Sequence, residues 1–269
     1  AFTTTDKPGP YDNVLYRTVE EFEPWAKYYP HDILIGQRQP NLMSFHSASK
    51  LKILWCHDLP HAALKDQFTS CLWSVDKIAV VSEWMRDRYM SVYGIDKEFF
   101  HIAENAVDLD LVRSIGEPVQ RDPLALLYIA RPERGLDRLV KEVFPRLLEK
   151  DSRYTLHLAG YDNPVEHLKP FYMELAALCQ QFGDRAKSHG HLPKADLYRL
   201  MKSCGAYVYP QPSEVMPDFR EVSCIAAMEA RACGLPFVGM DRGALGETLA
   251  GDPGTVLLPE PFDPGEFAD

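Results

Sequence analysis

Glu221 and Glu229 stand with seven residues between them in the segment PDFREVSCIAAMEARACGLPFVGMD. A carboxylate accepts paired hydrogen bonds from vicinal hydroxyls, so two of them along one element can address two parts of one extended ligand. Pro217 and Asp218 supply a helix start. Ile225, Ala226, Met228 and Ala232 supply an apolar face, and Gly234 with Pro236 supplies a stop. The spacing predicts one helix carrying both glutamates about 12 Å apart along its axis. The uncapped N–H groups of its first turn, around Ser223 and Cys224, offer a phosphate a seat between them. Sugar hydroxyls, a diphosphate and ribose hydroxyls in that order make a nucleotide sugar. As isolated features, the two glutamates would be ordinary solvated helix residues.

Arg131 directly follows the strand-like run YIA, which places it at the carboxyl end of a parallel strand, where open α/β sheets bind ligands. A guanidinium there can clamp a diphosphate leaving group; its plainer role is a surface pair with Glu133. Arg134 precedes Gly135 at the entry to the next helix and can serve the same diphosphate or be a solvated turn residue. His57 ends LKILWCHD, with Asp58 beside it to fix its tautomer. His57 and His61 have the spacing of a helical metal pair, but Pro60 lies between them and no third ligand is near. Asp108-Leu109-Asp110 has the letters of a metal-binding D-x-D and lies instead beside the expected inter-lobe hinge. No metal site is therefore expected. Trp55, Trp73 and Trp84 are expected in cores rather than on a sugar-stacking platform.

The elements that must position these residues alternate strand and helix. Asp32–Gly36, Leu51–Asp58 and Lys77–Ser82 read as buried strands, with helices near Ala62–Trp73 and Glu83–Tyr93. After a hinge near Ala103–Val107 the alternation resumes: ALLYIA, a helix over Leu136–Glu149, YTLHLAG, a helix within Val165–Phe182, and a short strand near Ala186. A helix over Lys194–Ser203, AYVYP, the glutamate helix and PFVGM complete it. This order implies parallel sheets in two lobes, 1–104 and 105–269. Residues 1–10 read as a loose arm, and EEFEPWAKYYPHD has no clear period. Only Gly9, Gly36 and Gly94 precede the hinge, so the first lobe lacks a glycine-rich phosphate turn and is expected to be incomplete or minimal. The absence of an initiator Met, together with a Pro-Gly turn that reads as the start of another helix at the last residues, suggests a fragment.

The chain has 269 residues and a formal charge of −10, which argues against a nucleic-acid binder held by a diffuse basic surface. No apolar run approaches the ~20 residues of a membrane helix. Local basic patches leave peripheral contact with a membrane surface open. Six cysteines without C-x-x-C spacing favour a reducing cytoplasm over a zinc site or disulfide framework.

The run E-VSCIAAM-EA-RACGLPFV resembles the signature of retaining glycosyltransferases of the GT-B architecture, family 4 (glycosyl transferases group 1). NAVD at Asn105–Asp108, YIARPERGLDRL, LHLAG at Leu156–Gly160, HGHLPKADLYRLMKSCGAYVYPQPSE and DRGALGE resemble further elements of that family in their expected order. Departures are Ser223-Cys224 where Phe-Gly is usual, Arg134 for a phosphate-contacting Lys, and Gly243-Ala244 for paired glycines. The resemblance implies an α/β GT-B fold with two Rossmann-like lobes. It also implies metal-independent transfer of a hexose from a nucleotide diphosphate sugar to a hydroxyl on a carbohydrate, lipid-linked or small-molecule acceptor. His57, Arg131 and Glu221 would be the catalytic residues. Arg134, Gly160, Ser223, Cys224, Ile225, Glu229, Gly243 and Ala244 would bind the donor. Two other functions stay open: a non-catalytic nucleotide-sugar-binding module or partner subunit, and a GT-B-like nucleotide-sugar epimerase.

Overall fold

Short runs of apolar residues alternating with helices build two separate parallel sheets, one in each of two units, Ala1–Glu104 and Asn105–Asp269. The computed structural model describes residues 1–4, 7–116, 120–160 and 165–269.

In the first unit, β1 (Phe2–Thr3), β2 (Gly9–Tyr11) and β3 (Val14–Thr18) form a small sheet, so the described part of the expected loose arm contributes two paired strands. The aromatic and acidic stretch that shows no period contains α1 (Phe22–Tyr28), whose Phe22 and Trp25 pack against Phe2. The main sheet is β4 (His31–Gln37), β5 (Ser49–Trp55), β6 (Lys77–Val80) and β7 (Phe100–Ile102), parallel and in that spatial order. Leu34, Leu54, Ile78 and Val80 are buried. Ile33 and Ile35 are 54% and 53% exposed, because β4 is the edge of its sheet rather than a buried strand. The helix expected near 62–73 is broken: only α2 (Lys65–Thr69) is α-helical, between two 3-10 turns, and Trp73 is exposed. The next helix, α3 (Glu83–Tyr93), has firm ends. Ser82 caps it by accepting from the Met85 N–H at 3.1 Å, and Gly94 at φ +71° ends it in the left-handed region.

The second unit opens with α4 (Leu109–Ser114) and carries β8 (Asp122–Tyr128), β9 (Thr155–Leu158), β10 (Ala186–Ser188), β11 (Cys204–Tyr209), β12 (Phe237–Met240) and β13 (Thr255–Leu258). All pairs are parallel and the order is β10-β9-β8-β11-β12-β13, the doubly wound arrangement of nucleotide-binding sheets. After β8 come α5 (Leu136–Arg138), a π-helical segment at Leu139–Val143, and α6 (Phe144–Lys150). The wide turn accommodates Pro145, which has no N–H to offer an ordinary helical ladder. The remaining helices are α7 (Lys169–Gln181), α8 (Lys194–Ser203), α9 (Ile225–Ala232), α10 (Leu245–Thr248) and α11 (Pro264–Ala268). Tyr128, Tyr207, Leu127 and Phe237 are fully buried core residues of the central strands.

One expectation about the glutamates is corrected. Helix α9 starts at Ile225, so Glu229 is helical and Glu221 is not. Residues 217–224 instead turn and dock on the loop after β12, where Glu221 and Gly243 form an isolated parallel bridge. The apolar face is also rotated: Ala227 and Ala230 are buried, whereas Ile225 is 43% exposed.

Candidate functional site

Strands β8 and β11 are neighbours at the centre of the second sheet, with the strand order running outward from them in both directions. The carboxyl ends at such a switch point form a ligand crevice. Tyr209 ends β11 and is fully buried; its hydroxyl donates to Glu221 Oε1 at 2.6 Å. Arg134 Nη1 lies 3.6 Å from the same oxygen, and its guanidinium stacks 4.6 Å from the centre of the Phe219 ring. Burial pushes the Glu221 carboxyl above its usual value, while the Arg134 charge and the Tyr209 hydrogen bond pull it down.

Two glycines permit this closeness. Gly135, at φ +118°, follows the 3-10 turn Pro132–Arg134, and a Cβ there would sit 2.6 Å from the Pro210 carbonyl oxygen. Gly243, at φ +69°, would place a Cβ 2.2 Å from the Glu221 carbonyl oxygen. The next residue, Ala244, donates its N–H to that carbonyl at 2.8 Å. Gly243 and Ala244 thus fix the Glu221 backbone.

Arg131 takes a different direction. Its Nε donates to Glu133 Oε1 at 2.6 Å, and Tyr172 of α7 donates to Glu133 Oε2 at 2.9 Å. Burial opposes the charge of Arg131, but the hydrogen bonds with Glu133 and Tyr172 outweigh it and raise its pKa. The pairing with Glu133 is therefore present, and Arg131 and Arg134 turn to different carboxylates. Beside Tyr172 a cavity of about 450 Å³ is lined by Tyr128, Ala130, Leu158, Gly160 and Gly190 among others. Gly160 N–H donates to the Gly190 carbonyl at 3.0 Å, joining the loops that leave β9 and β10.

At α9, Cys224 is the N-cap residue, and its thiol is pushed well up by burial. Ser223 Oγ is buried and makes no hydrogen bond among the described residues, so this helix start presents an unspent hydroxyl. Glu229 is 5% exposed. Its Oε1 accepts from Tyr198 at 2.9 Å and pairs with Lys194, both on α8. Lys194, Tyr198, Tyr209 and Phe219 were not singled out from sequence. Lys194 and Tyr198 stand four apart on one helix and Tyr209 is strand-terminal, but nothing in the sequence names the glutamate each would meet.

His57 belongs to the first unit and lines a cavity of about 260 Å³ with Arg38, Asn41, Asp58, Gln67 and Tyr89. Its Nδ1 is buried without a hydrogen-bond partner among the described residues, and burial followed by the Arg38 charge lowers its pKa against the pull of Asp58. Asp58 is shared, since Arg38 Nε lies 3.2 Å from it. Among the described residues no group of three or more His, Cys, Asp or Glu side chains could hold a metal ion, and no helix is long and apolar enough to cross a membrane.

The parallel sheets and their strand order make this an α/β protein, and solved glycosyltransferase structures share its GT-B fold. Sucrose-phosphate synthase from Thermosynechococcus elongatus aligns with a TM-score of 0.69 at 18% identity, over 93% of this chain and 65% of that one. Anabaena HepE in complex with UDP aligns with a TM-score of 0.68 at 15% identity, over 88% and 67%. Residues 123–269, just over half of the chain, match the family described as Glycosyl transferases group 1, and the chain belongs to that family. In sequence it is 27% identical over 198 residues to the D-inositol 3-phosphate glycosyltransferase of Frankia alni, covering 68% of this chain and 46% of that protein. The chain spans about half the length of the curated relatives it matches.

Proposed function

We propose that this chain carries the donor site of a retaining, metal-independent glycosyltransferase of family 4 that moves a hexose from a nucleotide diphosphate sugar to a hydroxyl acceptor. The observation that carries the reading is the buried Glu221 carboxylate facing Arg134 at the carboxyl ends of β8 and β11. Glu221 accepts from the donor-sugar hydroxyls. Glu229, whose Oε1 is held by Tyr198 and Lys194, presents its remaining oxygen to the ribose hydroxyls. The Ser223 hydroxyl and the first-turn N–H groups from Ile225 onward receive the diphosphate, with Cys224, Gly160, Gly243 and Ala244 shaping the seat. Arg134 and Arg131 stabilise negative charge growing on the diphosphate as the glycosidic bond breaks, where preorganised electrostatics contribute most.

His57 contacts the sugar near the reacting carbon. The acceptor is a carbohydrate, lipid-linked or small-molecule hydroxyl, and the curated relatives' names make an inositol phosphate one candidate. Six free cysteines, most of them buried, support residence in a reducing cytoplasm, with contact at a membrane surface for a lipid-linked acceptor. A thermal-shift screen against UDP-, GDP- and ADP-sugars tests the reading, because a ligand that binds only the folded state raises its melting temperature. A shift with one base series is expected; no shift with any of them would overturn the donor site.

A further inference from the structure

Arg242 follows β12 and has only 6% of its surface exposed, yet it faces no expected ligand. Its Nη2 donates to the Pro217 carbonyl at 2.8 Å and to the Phe219 carbonyl at 3.2 Å, and its Nε reaches the Phe219 carbonyl at 3.3 Å. Nη1 pairs with Glu260, which also lies 3.3 Å from Arg220 Nη1. Burying a guanidinium is costly unless its donors are satisfied. Here backbone carbonyls of the segment leading to Glu221 take up two of its nitrogens.

The consequence runs through Phe219. Arg242 fixes the backbone of this residue, and the ring of Phe219 supports the Arg134 guanidinium. Arg134 in turn faces Glu221 at 3.6 Å. Two residues beyond Arg242, the Ala244 N–H holds the Glu221 carbonyl. The short stretch 242–244 therefore grips the segment 217–221 at three carbonyls, those of Pro217, Phe219 and Glu221.

We infer that Arg242 is a positioning residue: by holding the Pro217 and Phe219 carbonyls it sets the placement of Phe219 under Arg134, and so the approach of Arg134 to Glu221. The inference rests on the donor-site reading only for its catalytic consequence. A lysine at 242 keeps the charge and the pair with Glu260 but has no planar fork to hold two carbonyls at once.

The test is carboxyl NMR titration of Glu221 in wild-type protein, Arg242→Lys and Phe219→Leu, alongside steady-state kinetics. Glu221 is faced by Arg134, Tyr209 and Cys224. Retreat of Arg134 should raise the Glu221 midpoint by roughly one pH unit in both single variants. The double variant should shift little further, because both changes act through one link. Turnover should fall on the order of tenfold in Arg242→Lys with little change in affinity for free nucleoside diphosphate. Should Arg242→Lys fail to fold, Glu260→Gln loosens the same guanidinium and should move the midpoint in the same direction. An unchanged Glu221 titration in the folded variants would overturn the inference. Wild-type protein that neither binds nor turns over a nucleotide sugar would count against glycosyl transfer, while the titration would still decide the role of Arg242.

Discussion

Arg134 and Glu221 approach to 3.6 Å across the crevice at the end of β8, with the carboxylate almost wholly buried and the guanidinium resting on Phe219. Two groups 87 positions apart in sequence are joined because Gly135 and Gly243 let two turns close on neighbouring backbone.

Those glycines should tolerate no side chain. An alanine at 243 would bring its Cβ within 2.2 Å of the Glu221 carbonyl oxygen at a left-handed φ. Left-handed strain alone costs about 1–2 kcal/mol, and a backbone clash adds to it. Gly243→Ala should lower the melting temperature by several degrees, roughly 4 °C or more, and weaken donor binding. A variant with wild-type melting and affinity would mean the bridge between residues 221 and 243 is not needed.

Burial raises the Glu221 carboxyl above its usual 4.5 despite Arg134 and Tyr209. A carboxyl whose folded-state pKa exceeds its unfolded value costs stability increasingly as pH rises through that interval, and the full cost persists above it. Glu221→Gln removes this cost and keeps an oxygen for the Tyr209 hydroxyl. Urea unfolding should show the stability of the variant relative to wild type improving as pH rises above the usual carboxyl range. A difference that stays flat or reverses would show that the Arg134 pairing outweighs burial.

Much of the second unit was legible before the structure. Helix α8 falls on the residues its periodicity marks, and the strands follow their apolar runs. The errors have physical causes. Pro217 and Asp218 read as a helix start, but the segment satisfies its backbone through Arg242 and the loop after β12 instead of a helical ladder. Ile33 and Ile35 read as buried because apolar composition does not reveal which strand is the edge. Tyr209, Tyr198 and Lys194 escaped notice because a hydroxyl or ammonium partner is a tertiary fact, created by packing between distant segments. Arg131 and Arg134 both read as diphosphate contacts from their common turn; the structure sends one to Glu133, its plainer expected partner, and the other to Glu221, which the sequence does not name.

Both arginines are proposed to act on charge that develops as the diphosphate departs. Interactions that strengthen in the transition state raise turnover more than they tighten binding. Arg131→Ala and Arg134→Ala should each lower kcat on the order of a hundredfold with smaller changes in donor KM. Arg131→Lys should recover part of the loss, because the charge returns without the bidentate fork. Unchanged kcat in Arg131→Ala would leave that residue a partner of Glu133 and nothing more.

Transfer should proceed in the presence of EDTA, since the arginines are assigned the charge that a divalent ion supplies elsewhere. An assay of nucleoside diphosphate release with and without chelator checks this. Loss of activity restored by Mg²⁺ or Mn²⁺ would overturn the leaving-group assignment.

The central claim is that Glu229 holds the ribose and Glu221 the transferred sugar. Calorimetric titration of the free nucleoside diphosphate and of its sugar conjugate into wild-type protein, Glu229→Ala and Glu221→Ala separates the two roles. Charge-assisted hydrogen bonds contribute about 1.5–3 kcal/mol. Glu229→Ala should therefore weaken both ligands by roughly ten- to a hundredfold. Glu221→Ala should weaken only the nucleotide sugar by a similar factor and spare the free diphosphate. The reverse ranking, or equal losses for both ligands in both variants, would contradict the account.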